Sequence, residues 1–148
     1  ETVTGVQTCA LPISDADAGR VRPAADVAAR LPALGYAGLS TFNARPRPCP
    51  VLGLVQVNTH VDVIDWRGGG GFAGTGAAIG AMVRHLAARR TGAADPDEAT
   101  GLLTHHLVHD EPCRRFLDRF LAAASEHPAV RWLDAPALFG SPSPRCPP

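Results

Sequence analysis

A β-branched run that ends in two carboxylates and an indole limits the folds open to this chain: Gln56-Val57-Asn58-Thr59-His60-Val61-Asp62-Val63-Ile64-Asp65-Trp66. Valine, isoleucine and threonine at this density read as a strand, here extending from Leu52 to Val63. Its polar members Asn58, His60 and Asp62 fall two apart and so share one face. A parallel strand buried on both faces would be apolar on both. The polar row therefore points to the lining of a barrel mouth or cleft, with an edge strand wet on one face as the alternative. Asp62, Asp65 and Trp66 arrive at the C-terminal end of the strand, where sheets covered by helices place their chemistry.

The flanking segments read as further pieces of a βα repeat. Val27 and Leu31 share a face of a short helix that Pro32 and Gly35 end, and Tyr36 to Phe42 alternates small and apolar residues as a strand does. Asn43 to Pro50 carries three prolines and reads as an extended surface connection, with Arg45 and Arg47 solvated. After the central strand, Gly69-Gly70-Gly71-Phe72-Ala73-Gly74 formally satisfies Gly-x-Gly-x-x-Gly. A dinucleotide site would place those glycines directly at the strand end, with an acid about 20 residues on at the tip of the next strand. That distance falls in the Asp95 to Glu98 loop, so the glycines read as a flexible loop over the site.

Thr75 is positioned to cap a helix whose apolar stripe is Ile79, Met82, Val83 and Leu86. Gly101 to His105 reads as the next strand, which completes a strand, helix, strand unit of parallel type. Glu111-Pro112 opens a helix with Phe116, Leu117, Phe120, Leu121 and Ala124 inward, stopped at His127-Pro128. Val130 to Leu133 reads as a short strand or extended segment, and Asp134 to Phe139 as a terminal helical turn. Residues 140–148, rich in proline and serine, read as a disordered tail.

The composition is ordinary, 45% hydrophobic and 19% charged at formal net charge +0. No excess of one sign directs the chain to nucleic acid, and no apolar run is long enough to span a membrane. Five Phe, two Trp and one Tyr shift core burial onto Leu, Val and Ala. Cys9, Cys49, Cys113 and Cys146 form no Cys-x-x-Cys pair and read as reduced thiols. Residues 1–14 resemble translated sequencing-adapter read-through and are set apart as a non-native leader. Residues 15–139 are then one partial domain, expected to be truncated upstream.

Asp-x-x-Asp-Trp at 62–66, followed by Leu103-Thr104-His105, resembles the last two motifs of the polysaccharide deacetylases, carbohydrate esterase family four. The resemblance implies an α/β fold, the C-terminal portion of a distorted (β/α) barrel. It implies hydrolysis of N-acetyl groups on a sugar polymer or lipid-linked sugar. It matches His105 to the catalytic acid, Asp65 to the aspartate that tunes it, Trp66 and Leu103 to the walls of the pocket, and places Asp62 beside them. The family's divalent ion, usually zinc, sits on ligands upstream of these motifs, and no matching residues precede Asp62 here. The chain by itself is accordingly expected to be inactive, to hold no ion tightly, and to self-associate through exposed sheet edges.

Independently of that resemblance, neighbouring parallel strands bring their C-terminal ends to one face, so a carboxylate at 62 or 65 is expected near His105. Such a carboxylate fixes the imidazole's orientation, as protonation of a leaving amine requires. His105 and His109 also form His-x-x-x-His with His106 between them, so a metallohydrolase centred there is one alternative. A structural, hydrogen-bonded histidine group is another, and a catalytically silent carbohydrate-binding or scaffold homologue a third. His60 reads as a lining residue, and His85 and His127 as surface residues.

Overall fold

The computed structural model describes residues 25–139, so the leader at 1–14 and the tail at 140–148 lie outside the described residues. In chain order the elements are α1 (Ala25–Arg30), β1 (Gly38–Leu39), β2 (Val55–Gln56), β3 (Val61–Asp62), β4 (Ile64–Asp65), β5 (Gly71–Phe72), α2 (Thr75–Thr91), β6 (Leu102–Leu103), α3 (Glu111–Glu126) and α4 (Ala135–Phe139). Two 3-10 turns, Pro32–Leu34 and His106–Val108, link them.

The central segment lies between two parallel neighbours. On one side β1 pairs with β2, Gly38 opposite Val55, and a further bridge joins Phe42 to Thr59. On the other side β3 pairs with β6, Val61 opposite Leu102, while the His60 amide donates to the Gly101 carbonyl at 2.8 Å. The path β3, α2, β6 is thus a parallel strand, helix, strand unit. The ladder is interrupted rather than continuous, and the described strands form two-stranded pairs without closing a barrel.

The glycine-rich stretch makes an antiparallel hairpin, β4 with β5, Ile64 opposite Phe72. Gly69 at φ 100° and Gly70 at φ 84° take the positive φ values that its turn requires. Gly74, not Thr75, flanks α2: it stands at φ 92°, makes no side-chain cap, and its carbonyl accepts the Ala78 amide at 3.1 Å. Thr75 is itself the first helical residue.

The core joins Val61, Val63 and Ile64 to Ala78 of α2 and to Cys113, Phe116 and Leu117 of α3, with Phe72, Met82 and Phe120 against its edge. Phe116 lies 5.2 Å from Phe72 and 5.8 Å from Phe120, centroid to centroid. Each fully buried aliphatic or aromatic side chain here stabilises by about 1.5–3 kcal/mol. Asp110 caps α3 by accepting the Cys113 amide at 2.8 Å and takes the Phe72 amide at 3.0 Å, which ties hairpin to helix.

Several expectations are corrected. α2 buries Ala78 and His85 and half-buries Ala81 and Met82, whereas Ile79, Val83 and Leu86 face solvent. The small face packs on the sheet because alanines allow the closest approach of helix to strand. In α1 the buried residue is Ala28, and Val27 is exposed. Arg45 is buried, not solvated, while Arg47 is exposed. Leu121 of the predicted α3 stripe is exposed, and Val130 to Leu133 forms no strand. Cys49 is disulfide-bonded, whereas Cys113 is a buried free thiol whose pKa burial raises. Among the described residues no helix is long and apolar enough to cross a membrane.

Candidate functional site

The register of β3 with β6 sets Asp62 directly opposite Leu103. Opposed residues of a ladder share a face, and His105, two residues beyond Leu103, follows on that side. His105 stands at φ 50°, in the left-handed region that few side chains other than Asn and Asp visit, just as the chain leaves β6 for the 3-10 turn. From there its Nε2 donates to Asp62 Oδ2 at 3.1 Å. The Trp66 indole donates to the same oxygen at 3.1 Å and stands edge-on to the imidazole, 4.9 Å away at 85°. Asp62 Oδ1 accepts the Ile64 amide at 2.9 Å, so the carboxylate is held at both oxygens.

Asp62, and not Asp65, is therefore the partner of His105. Asp65 is exposed and holds the hairpin turn, its Oδ1 accepting the amides of Arg67 at 3.1 Å and Gly68 at 2.9 Å. His109 turns its Nε2 to the Thr104 carbonyl, and His106 is exposed. His105 and His109 each engage Nε2, with Asp62 and with the backbone, and among the described residues neither ring belongs to a group of three potential ligands.

A second group lies at the other end of the polar row. Gln56, Asn58 and His60 are all buried, and Asp62 continues their face to the surface. The Gln56 amide donates to Asn58 Oδ1 at 3.0 Å, and Asn58 Nδ2 to the Asn43 carbonyl at 2.6 Å. Beneath them lies Glu98, fully buried, which accepts the amides of Asn58 at 3.0 Å and Arg45 at 2.9 Å. The Arg45 guanidinium meets Asp95 at 2.8 Å on the same loop. Burial alone would raise the Glu98 pKa. Hydrogen bonding from His60 and from the two backbone amides outweighs it and holds the carboxyl below its ordinary value.

His60 faces Glu98, Nε2 to Oε2 at 3.4 Å, and accepts the Gly101 amide on Nδ1 at 3.0 Å. His85 of α2 stacks on it with centroids 3.4 Å apart and 18° between planes, and bonds the Thr100 hydroxyl through Nδ1 at 3.0 Å. Burial first, then the neighbouring His60, push the His85 pKa down to about 4. Among the described residues, His60, His85 and Glu98 are the one group of three potential ligands whose donor atoms all lie within 4.8 Å of one another.

The two groups meet at a cleft of about 560 Å³ lined by His60, Asp62 and His85 together with Phe42, Ala81 and Arg84. The sequence reading missed His85, Glu98 and Arg45. Glu98 carried no local signal, but His85 did: with Ala78 and Ala81 it continues the small-residue face of α2.

A scan against protein-family models finds none that matches this chain. Searches of curated proteins and of solved structures likewise find no match.

Proposed function

We propose that this chain carries the acid side of a hydrolase of the polysaccharide deacetylase type, acting on N-acetyl groups of a sugar polymer or lipid-linked sugar. The observation that carries this reading is the Asp62–His105 hydrogen bond at 3.1 Å, with Trp66 bonded to the same carboxylate and Asp62 itself lining the cleft.

Breaking an amide C–N bond expels an amine, which leaves only if its nitrogen gains a proton as the bond breaks. Asp62 engages Nε2 of His105, which fixes the ring and leaves Nδ1 as the nitrogen for proton transfer. Leu103, half-buried opposite Asp62, is suited to an acetyl methyl, and the half-exposed Trp66 to the face of a sugar. A divalent ion, when bound, would polarise the carbonyl and activate water. The family's own ligands for that ion have no counterpart in this chain upstream of Asp62, so the residues here account for substrate positioning and the proton alone.

The turning away of Asp65 favours a second reading, in which a silent homologue binds acetylated sugar without cleaving it. The free edges of the two-stranded pairs support self-association, which sedimentation would detect.

The test is titration of the ¹⁵N-labelled chain with N-acetylglucosamine oligomers and with their deacetylated counterparts, while acetate is measured. The deacetylase reading expects the acetylated oligomer to shift the His105 and Trp66 signals selectively. It also expects any acetate release to fall by about 10²–10⁴-fold in His105→Ala. Shifts without acetate are expected of this chain under both readings, and acetate released by it would exclude the silent homologue. Equal response to both oligomers, or none at Trp66 and His105, overturns both readings.

A further inference from the structure

We propose that the cleft is a subsite for an oxyanion, the phosphate or carboxylate of a small, sugar-sized ligand, with the Arg84 guanidinium as its main partner. The inference stands on the cleft's own residues and not on the deacetylase reading.

A volume of about 560 Å³ is that of a small-molecule pocket, and its lining carries one arginine, Arg84, and one carboxylate, Asp62. Asp62 is already engaged. Its Oδ2 accepts from His105 and Trp66, and its Oδ1 accepts the Ile64 amide. Arg84 makes no hydrogen bond or ion pair among the described residues, whereas Arg45, Arg89 and Arg115 meet Asp95, the Pro96 carbonyl and Glu111. No acidic residue occurs in α2 to neutralise it.

The side chain of Arg84 leans back over Gly80, its Nη1 lying 3.3 Å from the point that a Cβ there would occupy, as long helical side chains run toward the N-terminus. The guanidinium therefore lies toward the turn that holds Ala77 and Ala81, whose small side chains line the cleft without filling it. No side chain caps α2, so the partial positive charge of its first turn, where Ala77 stands, adds to the attraction for an anion.

The cleft wall supplies a second, independent sign of a missing acceptor. Thr100 takes a hydrogen bond from Arg89 at 3.3 Å and turns its own proton to His85 Nδ1 at 3.0 Å, which leaves the His85 proton on Nε2. That nitrogen is buried and has no partner. Glu98 does not serve it, because the amides of Arg45 and Asn58 and the His60 ring engage its oxygens. A buried N–H without an acceptor calls for a guest oxygen, met directly or through an ordered water.

The full chain would be titrated with inorganic phosphate, glucose phosphate, glucuronate and neutral glucose, following the side-chain ¹⁵N signals of Arg84 and His85. Phosphate and at least one of the acidic sugars should move the two signals together, and added salt should weaken the response. Tighter binding of glucose phosphate would identify the anion as phosphate, and tighter binding of glucuronate as carboxylate. Arg84→Gln should weaken binding by at least about tenfold, as loss of a hydrogen-bond partner of a charged group does, and Arg84→Lys by less. Arg90→Gln, exposed in the last turn of α2, should leave binding unchanged. Arg84 is itself exposed, so its variants are expected to fold. No movement of Arg84 with any acidic probe overturns the proposal. Undiminished binding by Arg84→Gln, or glucose bound as tightly as its phosphate, overturns it equally. None of the probes carries an acetyl group, so failure here leaves the deacetylase reading standing, and the converse holds.

Discussion

At the residue scale, the two aspartates of the Asp-x-x-Asp-Trp motif separate cleanly. Asp62→Asn should disturb the His105 ring, and the ¹⁵N spectrum of that imidazole should move from the pattern of a ring donating through Nε2. Asp65→Asn should leave it unchanged and cost about 0.5–1.5 kcal/mol through its turn hydrogen bonds. Equal effects of the two variants on His105 would refute the assignment. The sequence brought both carboxylates to the strand end. Because 62 and 65 differ by an odd number, they face opposite ways along a strand, so only one could meet His105. The resemblance pointed to Asp65, and the register with β6 selects Asp62. His85 supplies a pH prediction. Its pKa is lowered from 6.5 to about 4, so the folded chain resists a proton that the unfolded chain accepts. Stability attributable to His85 is complete above pH 6.5 and declines as pH falls toward 4. In chelator, the urea midpoint should drop across that window, and the drop should be smaller in His85→Asn.

At the scale of elements, legibility followed how strongly a face is marked. The aromatic stripe of α3 was readable because Phe116, Leu117 and Phe120 stand out against charged neighbours, and the proline at its start and His127-Pro128 at its end agree with the observed bounds. α2 misled because three of its four large apolar residues, Ile79, Val83 and Leu86, are solvent-facing, and only Met82 joins the alanines and His85 on the inward face. A rule that ranks residues by hydrophobicity favours the wrong side of such a helix. Close approach also governs β6. A Cβ at Gly101 would lie 2.6 Å from the Asn58 carbonyl oxygen and 2.9 Å from Thr59 Cα, both backbone atoms that cannot move independently. Gly101→Ala should therefore destabilise by roughly 1–3 kcal/mol. Gly76→Ala, in α2 with nothing within 4 Å of the added methyl, should stabilise by up to about 1 kcal/mol. The two urea midpoints should move in opposite directions, and a shared direction would contradict the packing of β6 on the central segment.

At the scale of the whole molecule, the interrupted strands are tied together by a buried polar network that local pattern could not disclose. Glu98 bonds the amide of Arg45, 53 residues earlier, and that of Asn58, 40 residues earlier. A polar loop after a helix gives no hint that one of its carboxylates will be fully buried, and a proline-flanked arginine none that it will be covered. Both are settled only when the connection after β1 folds over the loop after α2 and finds donors for every oxygen. Breaking that arrangement should cost more than any surface change. Glu98→Ala strands two backbone amides and removes the charge facing His60, and should cost about 3–5 kcal/mol, as loss of one partner from a buried charged network does. Glu98→Gln keeps one carbonyl acceptor and should fall between that variant and the parent. Amide exchange at Arg45 and Asn58 should accelerate in both variants, with more distant amides in α3 following only as far as global stability falls. The carboxyl's lowered pKa adds a second signature: its contribution is present above the ordinary value of 4.5 and is lost as pH falls through the depressed folded value, so the gap between parent and Glu98→Ala should close on acidification. A loss below about 1 kcal/mol, or a gap unmoved by acid, would mean that the segments around Glu98 are held by their own short ladders and not by the carboxylate beneath them.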